Sequence, residues 1–183
     1  QAISPSCEEF VPPEADITTE RLTPIVFGAG LLGAISDADV LNNELAQPVG
    51  FNGFRSMVQP LEDTVGPQRA AKFGWKGGVA TAKSFSSDAG LMELGLTTVF
   101  LPMENAPNGN QGALVLCDMV ADPEDVPDAN GRTLVDKFTN FQRFLAPPPQ
   151  TPRSGMTGEQ VFETIGCAVC HTSSAYITQP MPE

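Results

Sequence analysis

The chain is 183 residues long and 41% hydrophobic, with 17 Gly, 17 Pro and a formal net charge of −12. That length allows one domain or a domain plus part of another, and the Gly and Pro content predicts a loop-rich fold without reaching the level of a disordered chain. Ten scattered basic residues cannot form the Lys and Arg stripes that nucleic acid requires, and no run approaches the roughly 18 apolar residues of a membrane span.

Residues 1–24 are rich in Pro and Glu and read as an extended lead-in carrying Cys7. Gln1 to Pro5 lacks the basic and apolar regions of a secretory leader, so a leader is expected to have been removed or the natural start lies elsewhere. Residues 25–35 are apolar but punctuated by Gly28, Gly30 and Gly33, which predicts a tightly packed loop or a short helix. Those glycines also fit a dinucleotide fingerprint, but no strand–helix–acid unit surrounds them. Ser36 can cap a helix running through Ala46, with Asp37 and Asp39 at the positive end of its dipole. Residues 47–67 have no clean period and predict loop with a strand fragment. From Ala82 the apolar positions Ala82, Phe85, Ala89 and Met92 recur at helical spacing, and Gly95 is the expected stop of a half-buried helix.

Pro, Asn, Gly and Asp dominate residues 101–130, apart from Ala113 to Cys117, which reads as a short buried piece. The acidic run from Asp122 to Asp128 lacks the oxygen-ligand alternation of a calcium loop and reads as a solvated turn. The clearest helix follows, with Leu134, Phe138, Phe141 and Leu145 on one face and Pro147, Pro148 and Pro149 beyond its end. The last helix opens at Thr157 with Gln160 three residues on, a capping box, and is expected to turn Val161, Phe162 and Ile165 toward a core before reaching Gly166.

After that glycine stands Cys167-Ala168-Val169-Cys170-His171, a C-x-x-C-H run, the attachment signature of one covalent c-type haem. The two thiols add across the haem vinyl groups, and the histidine that follows is placed to ligate the iron. With 4 Cys and 1 His in the chain, such a run arises by chance in roughly five of ten thousand sequences of this composition. A thioredoxin-like dithiol would need a βαβ context that is not visible, and half a zinc site would need partners that Cys7 and Cys117 do not offer by spacing. A haem-free secreted interaction module, with Cys167 and Cys170 as a dithiol or disulfide and the acidic loops binding a partner, is the alternative from another class. Cys7 and Cys117 are expected to pair in an oxidising compartment and tie the lead-in to the core.

Several segments together resemble the di-haem thiol-oxidoreductase-like family, relatives of bacterial di-haem cytochrome c peroxidases. They are Leu22 to Ile35, Lys72-Phe73-Gly74-Trp75-Lys76, Glu93 to Thr97, Arg143 to Pro148, and Phe162 to Thr172. The resemblance implies a mostly α, loop-rich, cytochrome c-like fold, incomplete or permuted. Residues 1–149 would be the distal part of a first cytochrome domain, and residues 150–183 the opening helix and haem motif of a second.

It implies electron transfer as part of a di-haem oxidoreductase, in the bacterial periplasm or outside the cell, with a redox partner protein or a second haem domain as partner. Cys167 and Cys170 would anchor the haem and His171 would bind its iron. Trp75 would relay electrons, against a packing role, and Glu93 would serve as distal acid–base group, against a surface carboxylate. With no second histidine, the sixth ligand would be methionine or vacant. Met57, Met92, Met103 and Met119 are free to come from upstream, whereas Met181 and Tyr176 stand too close after the motif. Little peroxidase turnover is expected from a chain with one haem motif, and a second-domain face left open at Val161, Phe162 and Ile165 would invite dimerisation.

Overall fold

The computed structural model describes residues 7–51, 53–149, 157–169 and 171. Its regular structure is mostly helical. Among the described residues the order is α1 (Ala29–Gly33), α2 (Asp37–Leu45), β1 (Met57–Val58), β2 (Arg69–Ala70), α3 (Ala82–Leu94), α4 (Gln111–Cys117), α5 (Leu134–Phe144) and α6 (Thr157–Thr164). No helix among these residues is long and apolar enough to cross a membrane. The chain groups into two compact units, each made of two segments. One holds the described residues of Gln1–Pro24 and Lys83–Asn140, the other those of Ile25–Ala82 and Phe141–Glu183. Residues of the last stretch therefore share a unit with residues 25–82.

In the second unit the glycine-punctuated segment is the short helix α1. Gly28 has φ +75, which favours glycine, and its N–H donates to the Leu145 carbonyl at 3.0 Å. A Cβ on Gly30 would stand 2.0 Å from the Arg143 carbonyl oxygen, so only glycine admits this approach of backbone to backbone. Ser36 caps α2 as expected, its Oγ accepting the Asp39 N–H at 3.0 Å. Asp37, on the first turn of α2, receives Arg69 Nε at 2.6 Å and Lys72 Nζ at 2.7 Å. Burial works to raise its carboxyl, but the hydrogen bonds from Arg69 and Lys72 and the Lys72 charge hold it below the usual carboxylate range. Strand β1 pairs antiparallel with β2, Met57 opposite Ala70, and an isolated bridge joins Phe73 to Val79. Ala29, Ala70, Ala71, Phe73, Ala80 and Ala82 are the buried apolar residues described in this unit, and the aliphatic stem of Lys72 is buried with them.

In the first unit α3 ends at Gly95, φ +65, as expected. Of the apolar series Ala82 is buried, Phe85 and Ala89 are half-buried and Met92 is exposed, while the most buried positions are Ser84, Ser86 and Ser87. Small side chains allow a close approach of neighbouring backbone: Thr139 of α5 reaches Ser86 Oγ at 3.4 Å. Helix α5 corrects the sequence expectation in the same way. Val135 and Thr139 are its buried residues, whereas Leu134, Phe138 and Phe141 are 40%, 39% and 58% exposed. The piece from Ala113 to Cys117 is helix α4, not a buried run, for Ala113 is buried while Val115 and Leu116 are exposed.

The acidic run is not a simple solvated turn either. Asp125 is buried, and its carboxylate accepts the Leu134 N–H at 2.6 Å and the Val135 N–H at 3.0 Å, the first orphan donors of α5. Asp122 bonds Thr97 Oγ1, and the Thr97 carbonyl accepts the Asp125 N–H at 3.0 Å. Thr133 and Asp136 bond reciprocally across the same helix start. Asp136 also meets Lys83 Nζ at 2.8 Å, and that bond first, with the Thr133 N–H, holds its carboxyl below the ordinary range. Asp125→Ala should cost about 2 kcal/mol, because the buried Val135 N–H and the part-buried Leu134 N–H lose their acceptor. Urea unfolding of the variant checks this; an unchanged midpoint and slope would show that water replaces the carboxylate.

Candidate functional site

Helix α6 leads into the C-x-x-C-H run through Gly166, whose φ of +87 lets the chain leave the helix while its N–H still donates to the Glu163 carbonyl at 3.1 Å. A single 3-10 turn, Cys167–Val169, follows, and the His171 N–H donates to the Cys167 carbonyl at 2.9 Å. The turn thus sets the carriers of the first thiol and of the imidazole four residues apart on one coil. Cys167 is half-buried with a free thiol, and His171 is exposed. The Phe162 ring lies 6.3 Å from the imidazole, centroid to centroid, tilted by 60°. Cys170, Tyr176 and Met181 lie outside the described residues. A free thiol and an open imidazole on one turn are two of the three groups that covalent haem attachment would use, the third being the Cys170 thiol.

The expected inward turn of Val161 and Ile165 is not found. Both are exposed, and Phe162 is half-buried. Beside this turn is a largely polar groove of about 360 Å³, lined by Asn43, Glu44, Phe54 and Arg55 together with Ala168 and Val169. Its floor is held from within. Gln47 accepts the Gly53 N–H at 3.0 Å and donates to the Gly53 carbonyl at 2.7 Å, and Glu44 accepts the Arg55 N–H at 3.0 Å. The Arg55 guanidinium makes no ion pair or hydrogen bond among the described residues. Of the groove residues only Ala168 and Val169 fell in a motif picked out from the sequence; the aperiodic stretch 47–67 gave no signal for the others.

Trp75 stands on the turn between Phe73 and Val79 and is 59% exposed, so it is not a core residue. Glu93 is exposed on the last turn of α3, in the first unit. Met57, Met92, Met103 and Met119 are all exposed, and Met92 Sδ accepts from Asn105 at 3.2 Å. Cys7 and Cys117 are joined, Cα atoms 5.5 Å apart, and Asn108 fastens the same lead-in by accepting the Phe10 N–H and donating to the Glu8 carbonyl. Nearby, burial and then the charges of Asp122, Glu124 and Asp118 push the Glu104 carboxyl up. Among the described residues no three His, Cys, Asp or Glu side chains converge as a metal cluster. Comparison with protein-family models, with curated proteins and with solved structures finds no match.

Proposed function

We propose that this chain is a c-type haem-binding, electron-transfer segment of a di-haem oxidoreductase of the peroxidase-like or thiol-oxidoreductase-like kind, with a cytochrome c-like arrangement around the haem. The observation that carries the reading is the C-x-x-C-H run on a turn where Cys167 is a free thiol and His171 is open to a ligand. Cys167 and Cys170 would hold the porphyrin by thioether bonds and His171 would hold its iron. When bound, the haem supplies a one-electron couple whose potential is set by its axial ligands and its exposure. Around it, the chain's own residues have plain tasks. Gly166 releases the turn from α6, and the Phe162 ring stands tilted beside the imidazole.

Two further features support the reading. The joined Cys7 and Cys117 suit an oxidising compartment such as the periplasm or the cell exterior, where haem is attached to such motifs. The open apolar faces of α5 and α6 suit a chain that meets a second haem domain or a redox partner. Trp75, exposed on its turn, is the candidate relay, and Glu93 the candidate acid–base group.

Expression with haem-maturation machinery tests the proposal. A mass increment of one haem that survives acid extraction, with a visible spectrum that changes on reduction, is the expected result. His171→Ala should abolish the low-spin spectrum. Protein from the same system carrying no covalent haem, with Cys167 and Cys170 joined to each other, would favour the haem-free interaction module instead.

A further inference from the structure

We infer that the first unit carries a docking surface for a basic partner protein, a groove between the end of α3 and the stretch after α4 that takes an arginine or lysine side chain of that partner; this stands apart from the haem reading and does not require it. The groove has a volume of about 210 Å³, below the range of small-molecule sites and of a size for one long side chain. Gly95, just past α3, lines it together with Leu114, Met119 and Val120. Its surroundings are apolar and bare, for Leu94, Met119 and Val120 are all exposed. Exposed Met92 extends them, its Sδ accepting from Asn105, which also lines the groove. Clustered apolar atoms left in water mark an interaction surface, and methionine adapts its shape to what it meets.

Charge names the occupant. Glu104, Asp118 and Glu124 line the same groove, and none of them makes an ion pair among the described residues. Between Lys83 and Arg132 the chain has no Lys, Arg or His, so nothing on this stretch neutralises them. Their field is felt within the unit, where burial and then the charges of Asp122, Glu124 and Asp118 raise the Glu104 carboxyl. An arginine or lysine brings both halves of the complement on one side chain, an aliphatic stem for the methionine and valine and a cation for the carboxylates. Nucleic acid and acidic membrane are repelled by the same charges. The groove is also set before a partner arrives. Cys117 at its lining is joined to Cys7, the Asp118 N–H donates to the Leu114 carbonyl at 2.8 Å, and the Glu124 N–H donates to Thr97 Oγ1 at 3.0 Å. A socket held in this way loses little conformational freedom on binding.

Two short synthetic peptides, one alternating arginine with leucine and one alternating arginine with serine, test the surface by calorimetric titration of the full chain at low salt. The leucine peptide should bind, more weakly as salt rises, and should slow hydrogen exchange across residues 92–124. Combining Glu104→Gln, Asp118→Asn and Glu124→Gln should weaken binding by about tenfold or more, whereas Glu9→Gln, Glu14→Gln and Glu20→Gln, which remove as much charge from the lead-in, should change it by less than about twofold. Equal losses in the two variants would reduce the attraction to net charge and overturn the site. The exchange footprint of the unaltered chain decides the matter even where a variant fails to fold, since slowing centred on the lead-in or on the second unit would overturn the site as well. The serine peptide should bind about threefold or more weaker, and equal binding would overturn the part given to the apolar side chains. A chain that sediments as a dimer, and as a monomer when the three groove carboxylates are changed, would make the occupant a second copy and overturn the basic partner.

Discussion

Asp37→Ala is expected to destabilise the protein by about 3 kcal/mol, the loss typical when one partner of a buried ion pair is removed. The carboxylate holds two cations at once, Arg69 and Lys72, and the Lys72 side chain is only 3% exposed. Arg69 can turn to water; the Lys72 ammonium cannot without leaving its site. Pairing the change with Lys72→Met should recover most of the loss, because the stranded charge is then absent. Chemical denaturation of the single and double variants decides this, and a double variant no better than Asp37→Ala would show that the ammonium is not the cause.

The same carboxylate makes stability depend on acid. Its folded pKa lies below the unfolded value, so its contribution is complete above roughly pH 4 and is lost as the pH falls through the depressed folded value. Asp136 acts in the same direction through Lys83 and Thr133. So does Asp128, held at about 2 by the Lys137 hydrogen bond and the backbone N–H groups of Arg132 and Asn130; lying at the surface, where solvent screens the pair, it adds little to the fall. Thermal unfolding followed from neutral pH downward should show the midpoint dropping below roughly pH 4, and dropping less steeply in Asp37→Asn.

Gly30→Ala should also cost about 3 kcal/mol, by overpacking. The added Cβ would meet the Arg143 carbonyl oxygen at 2.0 Å, its carbon at 2.8 Å and its Cα at 3.0 Å. All three are backbone, so no side-chain rotation relieves the clash, and α1 must move. Gly33→Ala, on the same helix, is the control. Its Cβ would lie 3.5 Å from the Phe73 ring, an ordinary contact, and alanine in a helix should leave stability unchanged or raise it slightly. Equal losses at the two positions would mean that helix geometry rather than this close approach limits the site.

Local signals were legible from the amino acids alone. The Ser36 cap, the stop at Gly95, and the helical spacing from Leu134 onward each depend on residues within one or two turns of one another. The C-x-x-C-H run is likewise local, for it lies in five consecutive residues.

Which side of each helix is covered was not legible. Periodicity finds the apolar stripe of α5 at Leu134, Phe138 and Phe141, yet the neighbouring stripe of Val135 and Thr139 is the buried one. Asp125 supplies the acceptors for the first α5 amides, and the small hydroxyl face of α3 fits against Thr139, so the inward side of α5 follows from partners distant in sequence. The Asp37 network and the Arg55 groove were hidden for the same reason. Asp37 lies 32 and 35 residues from its partners, and Arg55 joins Ala168 and Val169 only when the chain has folded. Charge and apolar content are properties of single residues, whereas burial and pairing are properties of the surroundings that the fold brings to them.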